Sequence, residues 1–306
     1  MRKYIFCLCL LLLNACASIP KSSEQGYRVA AAQFLIEANQ KPEKFFSKVE
    51  TLVQQASHEK MHLIVLPELL VMDTWPLGSK VPEKELARTM ATELTPSYFK
   101  KVIELSARYQ IAVLAGSAPR LVGAKIFNTA LLVFPDGRKI YQDKVFLTQW
   151  EKEQGWSAGE SIRVFDAPWG RSVILICFDA EFPLLSQLLA KHQPEWIFIP
   201  SMTESVAGLN RVRSSAQARA IEHHAFVVVA GTVGRPDHDW VHHGQGVLFE
   251  PWEGRFKGVV SEGEKDKPGL VFGQFDIEVL RTSRASSKFF PGKEQRRDRK
   301  IFIETP

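Results

Sequence analysis

Three side chains that could do chemistry each follow an apolar, strand-like segment. Glu68 ends "LIVLPE", Lys144 ends "GRKIYQDK", and Cys177 ends "VILIC". A cysteine becomes nucleophilic when a neighbouring base or cation favours its thiolate. Glu68 could take the thiol proton, and Lys144 could stabilise the charge that forms when the thiolate attacks an amide or nitrile carbon. The three residues could therefore act together, provided that their strands lie in one sheet.

Each of these residues also has a purely structural interpretation. Cysteine is among the most buried residue types, so Cys177 alone could be a packing residue. Glu68 could cap the next segment, and Lys144 could be a solvated surface charge. Two neighbours favour the chemical interpretation. The backbone N–H of Phe178 could join Lys144 as an oxyanion donor, and a helix from about Glu181 would direct its positive end towards the sulfur.

The elements that must position these residues alternate between strand and helix from Gly26 onward, which predicts an α/β fold. Because ligands in such folds collect at the carboxyl ends of strands, the three side chains could converge there. No linker, repeat or low-complexity segment divides the chain, so residues 27–306 are predicted to form one domain. Strands are predicted at 27–36, 62–68, 111–117, 126–134, 172–178, 195–200, 225–231, 244–250 and 269–277, and the turn "PDGRK" at 135–139 leads into a further strand. Helices are predicted at 42–60, within 83–109, at 181–192 and at 210–222.

The combination of segments resembles the nitrilase, or carbon–nitrogen hydrolase, superfamily. "LIVLPE", "YQDKVFL" and "ILICFDAEFP" stand in the family's order and with similar spacing. The resemblance extends over roughly residues 28–280, which is much more specific than a lone thiol. Its further segments are "FNTALLVFPDGR", "WSAGESIRVFDAPWGR", "IPSMTES", "RSSAQARAIEHHAFVVVAG" and Gly244-Gln245-Gly246.

The resemblance implies a role for individual residues. Cys177 matches the family's nucleophile, Glu68 its general base, and Lys144 the residue that stabilises the tetrahedral intermediate. A second pocket glutamate follows the lysine in the family, and here Glu151 is the better match, with Glu153 as the competing choice. Residues expected to border the substrate are Phe178, Ser201, Met202 and Thr203.

The resemblance also implies a four-layer αββα sandwich, in which two mixed β-sheets pack face to face with helices outside, and a homodimer. The implied reaction is hydrolysis of a small amide through a cysteine thioester, without a metal or organic cofactor. A nitrilase or N-carbamoyl hydrolase is the alternative within the family. A lipoprotein N-acyltransferase is disfavoured because no membrane-spanning run follows residue 13. A catalytically silent, membrane-tethered binding protein is the more distant alternative.

The N-terminus carries a separate signal. Arg2 and Lys3 precede an apolar run that ends at Leu13, too short for the ~20 residues of a membrane span, which predicts a signal peptide over residues 1–15. The segment ending in Cys16 resembles a bacterial lipoprotein signal, which implies acylation of Cys16, for example with palmitate. Residues 16–26 would then be a lipidated tether. Ala17 after Cys16 favours the periplasmic face of the outer membrane.

Charge and cysteine content narrow the choice of partners. The net charge is +5, and the basic cluster "KEQRRDRK" at 293–300 contains its own acids, so we expect a solvated tail and no nucleic-acid partner. His238 and His242 have i, i+4 spacing, but Pro236 indicates a loop, so we expect no metal site. If Cys16 is acylated, Cys177 is the only free thiol left in the mature chain.

Overall fold

The computed structural model describes residues 26–294. Within that range the chain forms twelve strands: β1 (Tyr27–Leu35), β2 (Leu63–Val65), β3 (Ala112–Val122), β4 (Lys125–Val133), β5 (Lys139–Asp143), β6 (Val164–Ala167), β7 (Gly170–Ile174), β8 (Trp196–Ser201), β9 (Phe226–Val233), β10 (Val247–Phe249), β11 (Val259–Glu262) and β12 (Gly269–Phe275). The helices in the same range are α1 (Pro42–His58), α2 (Glu83–Thr89), α3 (Thr95–Tyr109), α4 (Gln149–Glu153), α5 (Pro183–Ala190), α6 (Val206–Glu222), α7 (Ile277–Ser286) and α8 (Pro291–Glu294).

The strands form two six-stranded halves of one continuous mixed sheet. One half has the order β5-β4-β3-β2-β1-β12, and the other has β6-β7-β8-β9-β10-β11. They join where Gln33–Leu35 of β1 pairs in parallel with Gly231–Val233 of β9. Helices cover the outer faces, which confirms the predicted αββα sandwich.

Alternation along β1 shows why the layers pack as they do. Successive strand side chains point to opposite faces. Val29 and Ala31 belong to the core between the two halves, whereas Ala30, Ala32 and Phe34 pack on the outer side with buried residues of α1 and α3. The central strand is therefore buried on both faces, which explains its nearly continuous apolar sequence.

The first helix forms where its sequence predicts it. Pro42 occupies the first turn, where its missing N–H costs nothing, and Phe45, Val49, Val53 and Ala56 recur at the spacing of one helical face. That face is fully buried, and each large apolar side chain contributes about 1.5–3 kcal/mol to stability. The helix fixes the outer face of the half-sheet that carries Glu68.

Several boundaries differ from the sequence prediction. Strand β7 ends at Ile174, and a 3-10 turn over Cys177–Glu181 precedes α5, which begins at Pro183 instead of residue 181. Proline starts a helix readily because its fixed φ suits the first turn. A π-helical turn, Met90–Leu94, separates α2 from α3. The short strands β6 and β11 were not predicted, because four residues give too little periodicity.

No helix within residues 26–294 is long and apolar enough to cross a membrane. The predicted signal peptide, Cys16 and most of the predicted tether lie outside the described residues, as does most of the basic cluster at 293–300.

Candidate active site

Glu68 is positioned by a close approach between two neighbouring chain segments. It follows β2, and Gly116 in β3 passes so near that a Cβ there would lie 1.7 Å from the Pro67 carbonyl oxygen. Only glycine fits this position, where φ is also +61°. The next residue, Leu69, has φ 46° and donates its N–H to Ser117 Oγ at 3.2 Å. This backbone carries the buried Glu68 side chain, whose Oε1 atom lies 2.7 Å from Lys144 Nζ.

Cys177 begins the 3-10 turn after β7 and has φ 47°, a left-handed conformation that is uncommon for residues other than glycine. Asp179 holds this turn in place. Its carboxylate accepts the N–H groups of Ile176 at 3.2 Å, Val145 at 3.1 Å and Phe146 at 2.7 Å. One side chain thus fastens the turn that carries Cys177 to the segment that carries Lys144.

Burial affects the charge of Asp179 as well as its contacts. Removal from water raises the pKa of this carboxyl to about 7, although the three N–H donors favour its ionised form. Asp179 is fully buried, so its protonation is linked to folding.

Lys144 lies between two buried glutamates. Its Nζ atom is 2.7 Å from Glu68 Oε1 and 2.9 Å from Glu151 Oε2, and all three side chains are at most 3% exposed. Burial lowers the pKa of the Lys144 ammonium, but the two carboxylates outweigh it and raise the pKa above its ordinary value. Lys144 is therefore a fixed cation at neutral pH.

Asn128 completes this cluster from β4. Its Nδ2 atom donates to Glu68 Oε1 at 2.9 Å and to Glu151 Oε1 at 2.7 Å. Its backbone carbonyl also accepts the N–H of Lys144 at 2.8 Å. The amide therefore spaces the two carboxylates around the ammonium.

Thr148 determines which glutamate reaches the cluster. It caps α4, its hydroxyl accepting the N–H of Glu151 at 3.4 Å while Glu151 Oε2 accepts the Thr148 N–H at 2.8 Å. This reciprocal capping box turns Glu151 back towards Lys144. Glu153 is exposed and accepts a bond from Gln149 at 2.9 Å, away from the cluster.

Met202 links Glu68 to Cys177 through its main chain. Its N–H donates to Glu68 Oε2 at 2.9 Å, and its carbonyl oxygen accepts from Cys177 Sγ at 3.6 Å. Burial, and then the neighbouring Glu68 charge, raise the pKa of the Cys177 thiol well above its ordinary value. Burial likewise raises the pKa of Glu68, against the attraction of Lys144. The thiol is therefore protonated at rest beside a carboxylate of increased basicity.

A cavity of about 610 Å³ opens onto this cluster. Glu68, Lys144, Glu151 and Cys177 form its polar part. Apolar walls come from Leu69, Met72, Trp75, Leu77, Trp150, Phe178, Met202 and Trp240. Charged residues also line it: Glu83, Glu181, Glu204 and Arg211.

Most of the residues expected at the site from sequence line this cavity. Phe178, Met202 and Thr203 do so together with the four polar residues of the cluster. Ser201 does not line it: it is the last residue of β8, buried, with its hydroxyl directed to the Ile199 carbonyl oxygen at 3.5 Å.

Sequence reasoning missed Asn128, Thr148 and Asp179. Thr148 had a readable signal, because Thr148-x-x-Glu151 is a capping-box pattern. Asn128 had none, because its partners lie far away in the chain, and the contacts of Asp179 with Val145 and Phe146 are equally distant.

Comparison with known proteins agrees with this architecture. The sequence model of the Carbon-nitrogen hydrolase family matches residues 28–285. "Probable hydrolase YhcX" of Bacillus subtilis is 33% identical over 294 residues, covering 92% of this chain and 57% of that protein. "Deaminated glutathione amidase" of Synechocystis is 26% identical over 251 residues, covering 78% and 88%.

Solved structures show the same fold. The Caenorhabditis elegans NitFhit protein superposes with a TM-score of 0.74 at 25% identity, covering 89% of this chain and 65% of that one. Saccharomyces cerevisiae Nit3, described as a member of branch 10 of the nitrilase superfamily, gives 0.73 at 22% identity, covering 89% and 97%. The chain thus spans less than two thirds of YhcX and of NitFhit. The extent of the family match shows that this chain belongs to the carbon–nitrogen hydrolase family, of the nitrilase superfamily.

Proposed function

We propose that this protein is an amidase that hydrolyses a small amide through a thioester on Cys177. The observation that carries the proposal is the grouping of Glu68, Lys144, Glu151 and Cys177 around one cavity. A nucleophile, a base and a fixed cation are the parts that acyl transfer to water requires. The amidase names of several relatives support the same reaction class.

The first half-reaction forms the acyl-enzyme. Glu68 takes the Cys177 proton as the sulfur bonds to the amide carbon, and the carbonyl electron pair moves onto oxygen. The ammonium of Lys144 gives two of its three hydrogens to Glu68 and Glu151, so the third is suited to that oxygen. The Phe178 N–H is the second proposed donor. When the carbon–nitrogen bond breaks, Glu68 returns the proton to the departing amine.

The second half-reaction restores the enzyme. Glu68 takes a proton from water, the hydroxide bonds to the thioester carbon, and the carbon–sulfur bond breaks. The sulfur recovers its proton from Glu68, and the carboxylic acid leaves. Glu68 thus serves first as base and then as acid in each half-reaction, which suits a buried carboxyl whose pKa burial has raised.

The cavity walls favour one kind of amide. Trp75, Trp150 and Trp240 offer apolar surface for the substrate's carbon skeleton. At the rim, Glu83 and Glu204 accept the indole N–H groups of Trp150 at 3.0 Å and Trp240 at 2.8 Å. Arg211, the rim's cation, is already paired with Glu181 at 2.9 Å. Neutral or cationic amides therefore suit the cavity better than anionic ones.

An activity screen tests the reaction class. Purified wild-type protein is assayed for ammonia and acid release from matched amides, nitriles and carbamoyl compounds, with neutral, cationic and anionic members of each. We expect turnover of neutral or cationic amides and none with Cys177→Ala. Turnover of the nitrile or carbamoyl set alone would redirect the proposal within the family. Turnover that survives in Cys177→Ala would overturn the thioester.

The location of the enzyme is a second part of the proposal. We propose that residues 1–15 are removed as a signal peptide and that acylated Cys16 anchors the chain to the periplasmic face of the outer membrane. Support comes from the sequence alone. Mass spectrometry of the mature N-terminus tests it, because a lipid-free chain that begins after Cys16 is incompatible with the anchor.

The proposed assembly is a homodimer. Leu184 and Leu188 stand one helical turn apart on α5 and are 54% and 48% exposed, an unusual cost for large apolar side chains unless a partner covers them. Sedimentation equilibrium tests the assembly. Leu188→Glu should shift the dimer towards monomer. The comparison variant, Ile221→Glu, alters an exposed apolar residue of α6 and should assemble as the wild type does.

A further inference from the structure

The end of the molecule remote from the cavity carries its own surface. The hairpin loop between β10 and β11 lies there, because Phe249 pairs with Val227 at the start of β9. The cavity lies beyond the carboxyl ends of the parallel strands. The eight residues of β9 separate these two ends by about 25 Å.

Two chain segments make up this remote surface. We call residues 251–258 and 287–294 together the basal surface. Glu253 joins them, since its carboxylate accepts the Ser287 hydroxyl at 2.5 Å and the Lys288 N–H at 3.3 Å. The two segments are thereby held side by side.

Large aromatic side chains project from the basal surface. Trp252 is 65% exposed and Phe289 is 75% exposed, the highest values among the exposed large apolar residues of the described chain. The Trp252 ring lies over Gly258, where a Cβ would come within 3.0 Å of it, so glycine lets the ring rest on the loop backbone. Exposed tryptophan and phenylalanine are disfavoured in water and typical of residues that enter a membrane interface.

The charge of the basal surface is complementary to anionic lipid. Arg255, Lys257, Lys288 and Lys293 are all exposed, against Glu253 and Glu294 within the same two segments. Aromatic side chains surrounded by cations are the combination that binds anionic bilayers at their surface.

The chain also enters the fold at this end. Gly26 packs against the Phe275 carbonyl, and Tyr27 pairs with Phe275 at the end of β12. Phe275 in turn contacts Phe226, whose ring lies 6.1 Å from that of Phe256 in the basal surface. Nine residues lie between Cys16 and Gly26, and this stretch of chain spans at most about 35 Å. A lipid on Cys16 would therefore keep the basal surface close to the bilayer.

We propose that the basal surface binds an anionic phospholipid bilayer and turns the cavity away from it, towards the aqueous phase. This inference rests on the proposed anchor at Cys16. It assigns Trp252 and Phe289 as interfacial residues and the surrounding lysines and arginines as contacts to lipid phosphates. The enzyme would then meet water-soluble amides and not membrane-embedded ones.

Tryptophan fluorescence tests the orientation directly, because the chain has seven tryptophans and only Trp252 lies on the basal surface. Mature lipidated protein is reconstituted in vesicles of phosphatidylcholine and phosphatidylglycerol with or without brominated acyl chains. We expect quenching in the wild type, its loss in Trp252→Phe, and its retention in the matched variant Trp240→Phe at the cavity. Lys257→Glu with Lys288→Glu should weaken quenching as well.

The outcomes distinguish the bilayer-binding basal surface from the lipid anchor at Cys16 on which that proposal rests. Vesicle binding without quenching of Trp252 overturns the basal surface and leaves the anchor intact, and quenching that disappears in Trp240→Phe means that the cavity faces the lipid. Protein that does not bind the vesicles at all contradicts both. If Trp252→Phe changes the sedimentation mass instead, the occupant is a second copy of the chain. Amide hydrolysis by each variant reports separately on the reaction.

Discussion

Glu68 and Cys177 are hydrogen-bonded to opposite polar groups of one residue, Met202. Glu68 accepts its N–H at 2.9 Å, and Cys177 donates to its carbonyl oxygen at 3.6 Å. Both side chains are buried, and burial raises the pKa of each. The resting thiol is thus uncharged, and the carboxylate is more basic than an exposed glutamate. Reactivity therefore depends on transfer of a proton between them and not on a preformed thiolate.

Alkylation of Cys177 should consequently depend on Glu68. Iodoacetamide is expected to react with the wild-type protein much faster than with Glu68→Gln, by about 10²- to 10⁴-fold, because the isosteric amide cannot take the proton. The rate is followed by mass spectrometry, with Glu83→Gln, a rim carboxylate away from the sulfur, as the control. Equal rates in the wild type and Glu68→Gln would contradict an activated nucleophile.

Asn128→Ala should alter how activity depends on pH. Asn128 donates to Glu68 at 2.9 Å, which favours the ionised carboxylate, so its loss should raise the pKa of Glu68 further. Since the ionised form is the base, activity falls as the pH drops through this pKa. The acidic limb of kcat/KM should therefore move to higher pH in the variant. Losing donors to charged acceptors should also lower kcat by about 10- to 100-fold.

A control for this variant comes from the same strand. Thr129→Ala alters the neighbouring side chain, which bonds Asp143 at 2.5 Å and not the glutamates. Its acidic limb should stay in the wild-type position. If Asn128→Ala only reduces stability and leaves the limb unmoved, then Asn128 does not position the base.

Much of this site could be predicted because the segments that carry Glu68, Lys144 and Cys177 together resemble one family, although each residue alone also allows a structural interpretation. Glu68 and Cys177 follow apolar runs, Lys144 follows the edge strand β5, and the structure brings all three to one cavity. Asp179 could not be predicted, because its carboxylate serves N–H groups more than thirty residues earlier in the chain. Ser201 shows the opposite limit. Whether the last residue of a strand faces the cavity depends on a register that sequence alone does not determine.

Two neighbouring glutamates offer a matched test of the helix cap. Glu151 bonds Lys144 and Thr148, whereas Glu153 is exposed. Glu151→Gln should lower kcat by about 10- to 100-fold, since Lys144 loses a charged partner, and Glu153→Gln should leave kcat unchanged. Steady-state assays measure kcat for both variants. A comparable decrease of kcat in the two would contradict a specific role for the buried Glu151 beside Lys144.

Thr148 should position Glu151 through the capping box that the two residues form. Thr148→Ala removes the hydroxyl of the capping box and should cost about 1 kcal/mol of stability. Thr148→Ser keeps that hydroxyl and should retain both stability and kcat. Chemical denaturation together with the amide assay measures the two effects. A Thr148→Ser protein as impaired as Thr148→Ala would mean that the methyl group, not the cap, is required.

Asp179 should make stability fall as the pH rises through the weakly acidic range. Burial raises its pKa from 3.8 to about 7, so between these values the folded protein holds a proton that the unfolded chain has released. The free energy of unfolding therefore decreases across this window, by about 4 kcal/mol when the whole shift is counted. Asp179→Asn cannot ionise, so the wild type should lose stability relative to this variant between about pH 4 and about pH 8.

Urea unfolding at both pH values measures the difference in free energy of unfolding between the wild type and Asp179→Asn. The contributions of the other titrating groups largely cancel because both proteins contain them. Asp136→Asn, in an exposed turn, provides the comparison. The side-chain amide of the Asp179→Asn variant has one oxygen that can accept from the N–H groups of Val145, Phe146 and Ile176, and its NH2 group faces the remaining N–H donors. Part of the stability lost in this variant is therefore the same at every pH. Only the part of the stability difference that changes with pH reports the titration of the Asp179 carboxyl. A loss that grows as the pH rises would show that the ionised carboxylate is the stabilising form.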